Sequence, residues 1–322
     1  MSNQLLVSNK KLFVKLKFDV TQKIRLYFKK AKINPAWLLM SVLGRFLIFR
    51  SFAQSLKKPH QQTYDLDSSV FEPVDTEVIY QKLIHDASWG GLKLPQSIVE
   101  SILKFATGTE CYGNSNPDLG FKISQKDQAE QESQCVFNFA QYFNVAKMCP
   151  VIEKLATDPM LLKIAGKYLG REVICTGTRL WWIFPEAVYD PMTIAGNFHY
   201  DMNDYHSLMF FFYLTDVDIN GGPHIYVRGS HKNKNFTSLF SPFRCRSDKY
   251  VADYYGKENI VTICGESGYG FVEDTFCYHK ATIPKEKNRL MLQIQYAIND
   301  YGIHNDFIDT SILKNILDIS EN

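Results

Sequence analysis

Residues 197–201 read Asn-Phe-His-Tyr-Asp. In an extended chain residues two apart share a face, so His199 and Asp201 point one way and Tyr200 the other. An imidazole and a carboxylate so placed can chelate a divalent metal. One more imidazole completes a facial set of two His and one carboxylate, which leaves coordination positions open and suits Fe(II). Of the eight histidines, His279 is best placed to supply it. It follows the strand-like Tyr269–Val272 and the turn-like Glu273-Asp274-Thr275, and Arg289 stands ten residues beyond it. Arg289 opens the run Arg-Leu-Met-Leu-Gln-Ile-Gln-Tyr. There Arg289, Met291, Gln293 and Gln295 share one face, and Leu290, Leu292, Ile294 and Tyr296 the other. Such a strand fits a barrel wall around an anionic ligand, because a guanidinium grips a carboxylate through two parallel N–H bonds. His206, His224 and His231 read as structural or supporting residues.

These side chains need a rigid frame. From about residue 172 the sequence turns to short apolar runs separated by turns. The runs are Glu172–Cys175, Thr178–Ile183, Ser207–Thr215, His224–Val227, Gly270–Val272 and Leu290–Ala297. Asn220-Gly221-Gly222-Pro223 is a strong turn signal between two of them. Short strands at this spacing predict a sandwich or barrel, with jelly rolls among the options. Upstream, Val74–Ile84 and Pro95–Phe105 read as helices, the second with Pro95 near its start. A further helix is expected over 151–168, and no internal repeat is visible.

Composition sets outer limits. The chain has 322 residues, 45% hydrophobic and 22% charged, which is a folding chain and not a disordered one. Seven cysteines, an odd number without any C-x-x-C, argue against a disulfide framework and a thiolate zinc site. The first residues lack the pattern of a signal peptide, so a reducing cytoplasm is the expected compartment. The net charge of +2 conceals a split: residues 1–60 hold 13 Lys and Arg and one acid, Asp19, leaving 23 basic and 33 acidic residues for the rest. A basic arm on an acidic body points to an anionic partner. The arm's most distinctive stretch is apolar residues 36–49, broken by Arg45. It is too short to span a bilayer, but fits either a helix lying in a membrane interface or a helix packed on the body. Periodicity does not decide between strand and helix for 10–32, and 58–68 read as a linker.

The ordered set of motifs resembles the phytanoyl-CoA dioxygenase family. The set is His199-Tyr200-Asp201, Phe-Phe-Phe-Tyr-Leu-Thr-Asp-Val-Asp at 210–218, Gly-Gly-Pro-His-Ile-Tyr-Val-Arg-Gly-Ser-His-Lys at 221–232, Glu-Asp-Thr-Phe-Cys-Tyr-His-Lys-Ala-Thr at 273–282, and Arg289. The resemblance covers about 170–300 well and the helices at 74–168 loosely. It implies an α+β fold: a double-stranded β-helix (jelly-roll or cupin-like) core over about 171–300, helices over about 70–170, and a dioxygenase domain of 61–322 behind the 1–60 arm. It implies Fe(II) on His199, Asp201 and His279, which act as the catalytic centre, with 2-oxoglutarate and O2 as co-substrates. The far carboxylate of 2-oxoglutarate would pair with Arg289, helped by Thr282. Related halogenases replace the metal carboxylate with a small residue. Asp201 fills that place, so hydroxylation or another oxidation of a C–H bond is expected.

Two positions depart from the family pattern: Arg228 stands where Pro is frequent and Tyr278 where Gly is frequent. Both are expected near the substrate entrance, so they bear on the substrate and not on the chemistry. The substrate is expected to be a small or lipid-linked molecule, with peripheral contact between residues 1–60 and an anionic membrane. No nucleic-acid partner is expected, because the acidic body would repel phosphate. The alternative is a non-catalytic or isomerase-type metal-binding cupin barrel acting as a binding module. Such a barrel has no need of an anchor like Arg289.

Overall fold

The computed structural model describes residues 25, 27–56, 63–185, 196–241, 244–303 and 306–319. The helices are α1 (27–33), α2 (Pro35–Leu43), α3 (Leu47–Ser55), α4 (Thr76–Asp86), α5 (Gln96–Gly108), α6 (Lys126–Ser133), α7 (Val145–Met148), α8 (Pro150–Ala156), α9 (Pro159–Leu169), α10 (Phe236–Phe240), α11 (Asp248–Tyr255) and α12 (Ile316–Ile319). The strands are β1 (Ser88–Lys93), β2 (Glu110–Gly113), β3 (Gly120–Lys122), β4 (Phe139–Tyr142), β5 (Ile174–Ile183), β6 (Ser207–Tyr213), β7 (His224–Val227), β8 (Ile260–Ile263), β9 (Tyr269–Glu273), β10 (His279–Ala281) and β11 (Arg289–Ala297).

Eight strands form one antiparallel sheet in the order β1-β9-β6-β11-β5-β4-β2-β3, and β10-β7-β8 form a second sheet. Strand β6, Ser-Leu-Met-Phe-Phe-Phe-Tyr, is buried throughout, so both faces of the large sheet are covered at its centre. Alternation divides its side chains. Leu208, Phe210 and Phe212 join Ile79, Leu83, Val99, Ile102, Ile152 and Ile164 in the core beneath α4, α5, α8 and α9. Met209, Phe211 and Tyr213 pack with Phe271, Met291 and Ile263 in the layer toward the small sheet. Strand β11 obeys the expected parity: Leu290, Leu292, Ile294 and Tyr296 face the helices.

Four expectations change. The helix expected over 151–168 is two, because Asp158 accepts from the Met160 amide at 2.8 Å and Pro159 starts a new helix. The apolar stretch at 36–49 is likewise broken at Gly44 into α2 and α3. Four short strands, β1 to β4, lie in the segment read as helical, and the runs at 172–175 and 178–183 are one strand. Residues 1–24 and 57–62 lie outside the described residues, so most of the undecided 10–32 stretch and half of the linker do too.

Residues 27–56 are packed on the body. Trp37 and Met40 share a core cluster with Phe198, Tyr200, Met202, Phe276 and Tyr278. Arg45 Nη1 donates to the Ser241 carbonyl at 2.8 Å. Arg50 is buried, its guanidinium 3.9 Å from the Phe276 ring centroid and 3.8 Å from Asp274 Oδ1. Asp274 also accepts from the Tyr168 hydroxyl at 2.7 Å. Burial pushes the Arg50 pKa down, and Asp274 opposes that push. Removing one member of a buried charge pair leaves the other uncompensated, at a cost of about 3 kcal/mol. Arg50→Met should therefore lower the unfolding free energy by about that amount, seen as a lower midpoint in urea. An unchanged midpoint would mean that Tyr168 and the backbone serve Asp274 without α3.

Candidate metal centre

The segment Phe198–Asp201 runs beside the chain entering β10. The His199 amide donates to the His279 carbonyl at 2.9 Å, the His279 amide returns the bond at 2.8 Å, and the Asp201 amide donates to Thr275 at 2.8 Å. Directly paired residues share a face, so this ladder brings both imidazoles to the same side. Tyr200 faces away into the aromatic cluster, as the spacing requires. The ligand atoms of His199, Asp201 and His279 lie within 4.8 Å of one another. The imidazole centroids are 4.4 Å apart, and His279 Nε2 is 3.6 Å from Asp201 Oδ2. A metal about 2.1 Å from each donor needs adjacent donors about 3 Å apart, a small contraction from these separations.

Both rings are held in one tautomer. His199 Nδ1 lies 3.0 Å from the Asn197 carbonyl and His279 Nδ1 lies 3.1 Å from the Cys277 carbonyl. A carbonyl only accepts, so each Nδ1 carries the proton and each Nε2 presents its lone pair. Burial pushes the His199 pKa down to about 4, so this ring is neutral and ready to ligate at pH 7. Burial works against the Asp201 carboxylate, yet His279 and His199 hold it well below the usual range. Burial alone would lower His279, but Asp201 and Glu273 outweigh it and raise its pKa. The donor set fits a divalent cation, which would displace any proton from His279: two Nε2 atoms and one carboxylate converge, with the carboxylate partly exposed (37%) toward a cavity.

Behind the centre lies a residue that the sequence reading passed over as part of a turn. Glu273 ends β9 and is fully buried. Its Oε2 lies 3.1 Å from His224 Nε2 and its Oε1 lies 3.5 Å from His279 Nδ1. The His224 ring packs against Phe211, Phe271 and His279 at centroid distances of 5.3, 5.1 and 5.5 Å. His224 is thus a supporting residue, as expected. Strand parity could have revealed Glu273, because Phe271 and Glu273 share the interior face of β9. The other histidines lie elsewhere. His206 and His231 bond the carbonyls of Arg50 and Ile84 at 3.0 and 3.2 Å, and His85 pairs with Asp86 at 2.6 Å on the surface. His60 and His304 lie outside the described residues.

Arg289 is 1% exposed and donates to the carbonyl of Gly222. The Thr282 hydroxyl donates to the next carbonyl, Pro223, at 2.7 Å. The Asn220–Pro223 turn therefore gathers both residues at one place. Gly222 has φ +78, and a Cβ there would meet Pro284 N at 2.7 Å and Thr282 O at 2.8 Å, so only glycine fits. The row Gln295, Gln293, Met291, Arg289 on β11 runs from a cavity beside Asp201 to this buried guanidinium.

That cavity, of about 190 Å³, is lined by Asp201, Gln293 and Gln295, by Thr176 and Arg179 of β5, and by Asn299, Asp300, Tyr301, Ile303 and Asp306 of the C-terminal loop. Lys30, Trp37 and Arg244 complete its rim. Arg179 Nη2 donates to Gln141 at 3.2 Å, while its Nε has no hydrogen-bond partner among the described residues. Asp204, buried beneath, accepts from the Ile298 and Asn299 amides and the Tyr301 hydroxyl at 2.9 to 3.1 Å and so fixes the loop wall. Arg228 and Tyr278, expected at the entrance, do not line it. Arg228 points to Asp86 at 3.6 Å, and Tyr278 is buried against Tyr200 and Tyr255.

No family model and no curated protein matches the chain. Among solved structures it is similar to the epimerase SnoN in complex with Fe3+, alpha ketoglutarate and nogalamycin RO, at 14% identity over 72% of this chain and 89% of that one, with TM-score 0.49. It is similar to HygX from Streptomyces hygroscopicus with nickel and 2-oxoglutarate bound, at 14% identity over 70% and 87%, TM-score 0.49. It is also similar to EctD from S. alaskensis with 2-oxoglutarate and 5-hydroxyectoine, at 17% identity over 74% and 82%, TM-score 0.46. These likenesses are distant, and the reading of the site rests on its own residues.

Groups that orient a metal-bound imidazole typically change affinity by about 10- to 100-fold when altered. Glu273→Gln should therefore weaken Mn(II) or Ni(II) binding by at least tenfold in calorimetric titration, and His279→Ala by more. His85→Ala, on the exposed side of α4, should leave binding unchanged. Equal affinity in the Glu273 variant would remove that residue from the centre.

Proposed function

We propose that the chain is an Fe(II)- and 2-oxoglutarate-dependent oxygenase built on a double-stranded β-helix core, akin to the phytanoyl-CoA dioxygenase family. The observation that carries this reading is the convergence of His199, Asp201 and His279, with both Nδ1 protons committed to carbonyls, at the end of a strand row that leads to buried Arg289. Fe(II) bound there, with 2-oxoglutarate and O2, supplies an oxidant able to break a C–H bond while succinate and CO2 are released. The chain's own groups do the rest. Arg289 receives the far carboxylate of the co-substrate, Thr282 and Gly222 shape the turn beside it, and Glu273, bonded to His224, sets a buried carboxylate 3.5 Å from the His279 ring.

The cavity narrows the substrate. Its wall offers guanidinium, ammonium, carboxylate and amide groups, with Trp37, Met202 and Ile303 as its apolar members. A hydrocarbon chain there would strip water from those groups without replacing its hydrogen bonds, which is costly. The reacting part of the substrate is therefore polar, and Arg179, whose guanidinium belongs to the cavity wall, is the group best suited to an oxygen on it. A lipid-linked substrate remains in keeping with this when its polar portion enters the cavity.

The direct test is succinate formation from 2-oxoglutarate with Fe(II), with and without a panel of hydroxylated and anionic metabolites. No succinate under any of these conditions, with Fe(II) bound, would overturn the reading. Arg289→Lys keeps the charge but loses the fork. A charge-assisted bond is worth about 1.5–3 kcal/mol, so the apparent KM for 2-oxoglutarate should rise about tenfold or more while metal affinity holds. An unchanged KM would remove Arg289 from the co-substrate site.

A further inference from the structure

The helices α1 to α3 use only one face to hold the body. On α2, Trp37, Met40 and Ser41 are buried, and on α3 Arg50 is. Residues three and four apart on a helix share a face, so the remaining residues point outward. In a surface helix those outward positions are normally polar. Here they are Leu39 and Val42 on α2 and Ile48 and Phe52 on α3, between 50% and 74% exposed.

Phe236 and Phe240 of α10, 69% and 61% exposed, extend the patch. Continuity is explicit: Phe240 packs edge to face with Phe46 at 5.2 Å and with Phe236 at 4.9 Å, and Arg45 ties the α2–α3 corner to Ser241. An apolar surface drawn from three helices is more than the scattered exposed residues of an ordinary surface.

Charge identifies the occupant. Residues 25–56 contain six Lys and Arg and no acid, and Arg25, Lys29 and Lys32 are exposed. A segment that exposes Arg25, Lys29 and Lys32 together with protruding Leu, Ile and Phe, and carries no acid, matches an anionic bilayer, whose head groups meet the cations while the apolar side chains enter the acyl boundary. Among the described residues no helix is long and apolar enough to cross a membrane, so the contact is peripheral.

We infer that the outer face of α2 and α3, with α10, docks the protein on an anionic lipid surface. The inner side of the same arm supplies Lys30 and Trp37 to the cavity rim, so docking sets the cavity beside the lipid head groups. The docking stands without the oxygenase reading, because none of its residues is a candidate ligand of the metal.

The test uses the full-length chain, sedimented with phosphatidylcholine vesicles with and without phosphatidylserine. The protein should pellet with the phosphatidylserine vesicles and be released by high salt. The exposed-site double variant Ile48→Ser/Phe52→Ser should lower partitioning about tenfold or more. Lys29→Glu/Lys32→Glu should do so to a similar degree. Both variants should keep the wild-type unfolding midpoint, and the second gives an answer even if the first misfolds. Protein that stays in the supernatant with both vesicle types overturns the inference. So does a lipid-free dimer that Ile48→Ser/Phe52→Ser dissociates, which would make the face an interface between copies. Vesicle binding does not require Fe(II) or 2-oxoglutarate, so failure of turnover and failure of docking are separate results.

Discussion

The reciprocal backbone pairing of His199 with His279 is the constraint on which the site depends. Two amide–carbonyl bonds, at 2.9 and 2.8 Å, join segments far apart in sequence. Their register decides which side chains meet. On one face it sets two imidazoles and Asp201. On the other it sets Tyr200 against Tyr278, edge to face at 5.6 Å. A slip of one residue would turn the tyrosines to the metal side and bury the imidazoles among aromatic rings. The aromatic cluster behind the site is therefore more than filling. Tyr200, Tyr278, Phe276, Trp37 and Met40 are the apolar set that makes any other register costly.

Much of this was legible in the sequence. The parity of His199, Tyr200 and Asp201, the two faces of β11 and the turn at 220–223 follow from local geometry, and the structure keeps them. The co-location of His279 with the pair does not follow from spacing alone. It came from matching an ordered set of motifs. Strands β1 to β4 escaped because each is six residues or fewer, and the helical pattern around them dominates any window long enough to detect periodicity. The break at Asp158-Pro159 was readable as a cap followed by a helix-starting proline, yet the apolar period on both sides hid it. The cavity was not legible at all. Its wall comes from the arm, from β5, from the segment after Asp201, from β11 and from the C-terminal loop, so no single stretch carries its polarity. For the same reason Arg228 and Tyr278, placed at the entrance by analogy, belong to a surface ion pair and to the aromatic cluster.

Buried cations recur around the site, and each meets a different kind of neighbour. Lys234 lies 4.0 to 4.6 Å from the ring centroids of Tyr278, Tyr200 and Phe276, and burial pushes its pKa down to about 7. The π faces compensate part of the lost hydration. Arg289 is held by a carbonyl, and Arg179 stacks on Trp181 at 5.3 Å while reaching Gln141. None of these arrangements is the cheapest way to build a core, since an apolar residue of equal volume would avoid the desolvation cost. Arg179 lines the cavity, and Arg289 begins the β11 face that carries the cavity residues Gln293 and Gln295.

One ion pair between arm and body meets the candidate site at a single dipeptide. Glu273 and Asp274 are neighbours, and alternation sends their carboxylates to opposite sides. Glu273 faces inward to His224 and His279, while Asp274 faces Tyr168 and the Arg50 guanidinium of the arm. The Asp274 amide is itself fixed by the Ala87 carbonyl at 2.8 Å, so the dipeptide has little freedom to rotate. Whatever holds Arg50 in place also holds the backbone that aims Glu273 at the candidate ligand. The arm's inner face is tied to the centre a second time through Trp37 and Met40, which pack against Tyr200 between the two candidate ligands His199 and Asp201. An arm that joined the body only by charge would be released by salt. One that also buries a tryptophan, a methionine and an arginine against the wall of the site is part of that wall, and displacing it would disturb the positions of His199, Asp201 and His279 together.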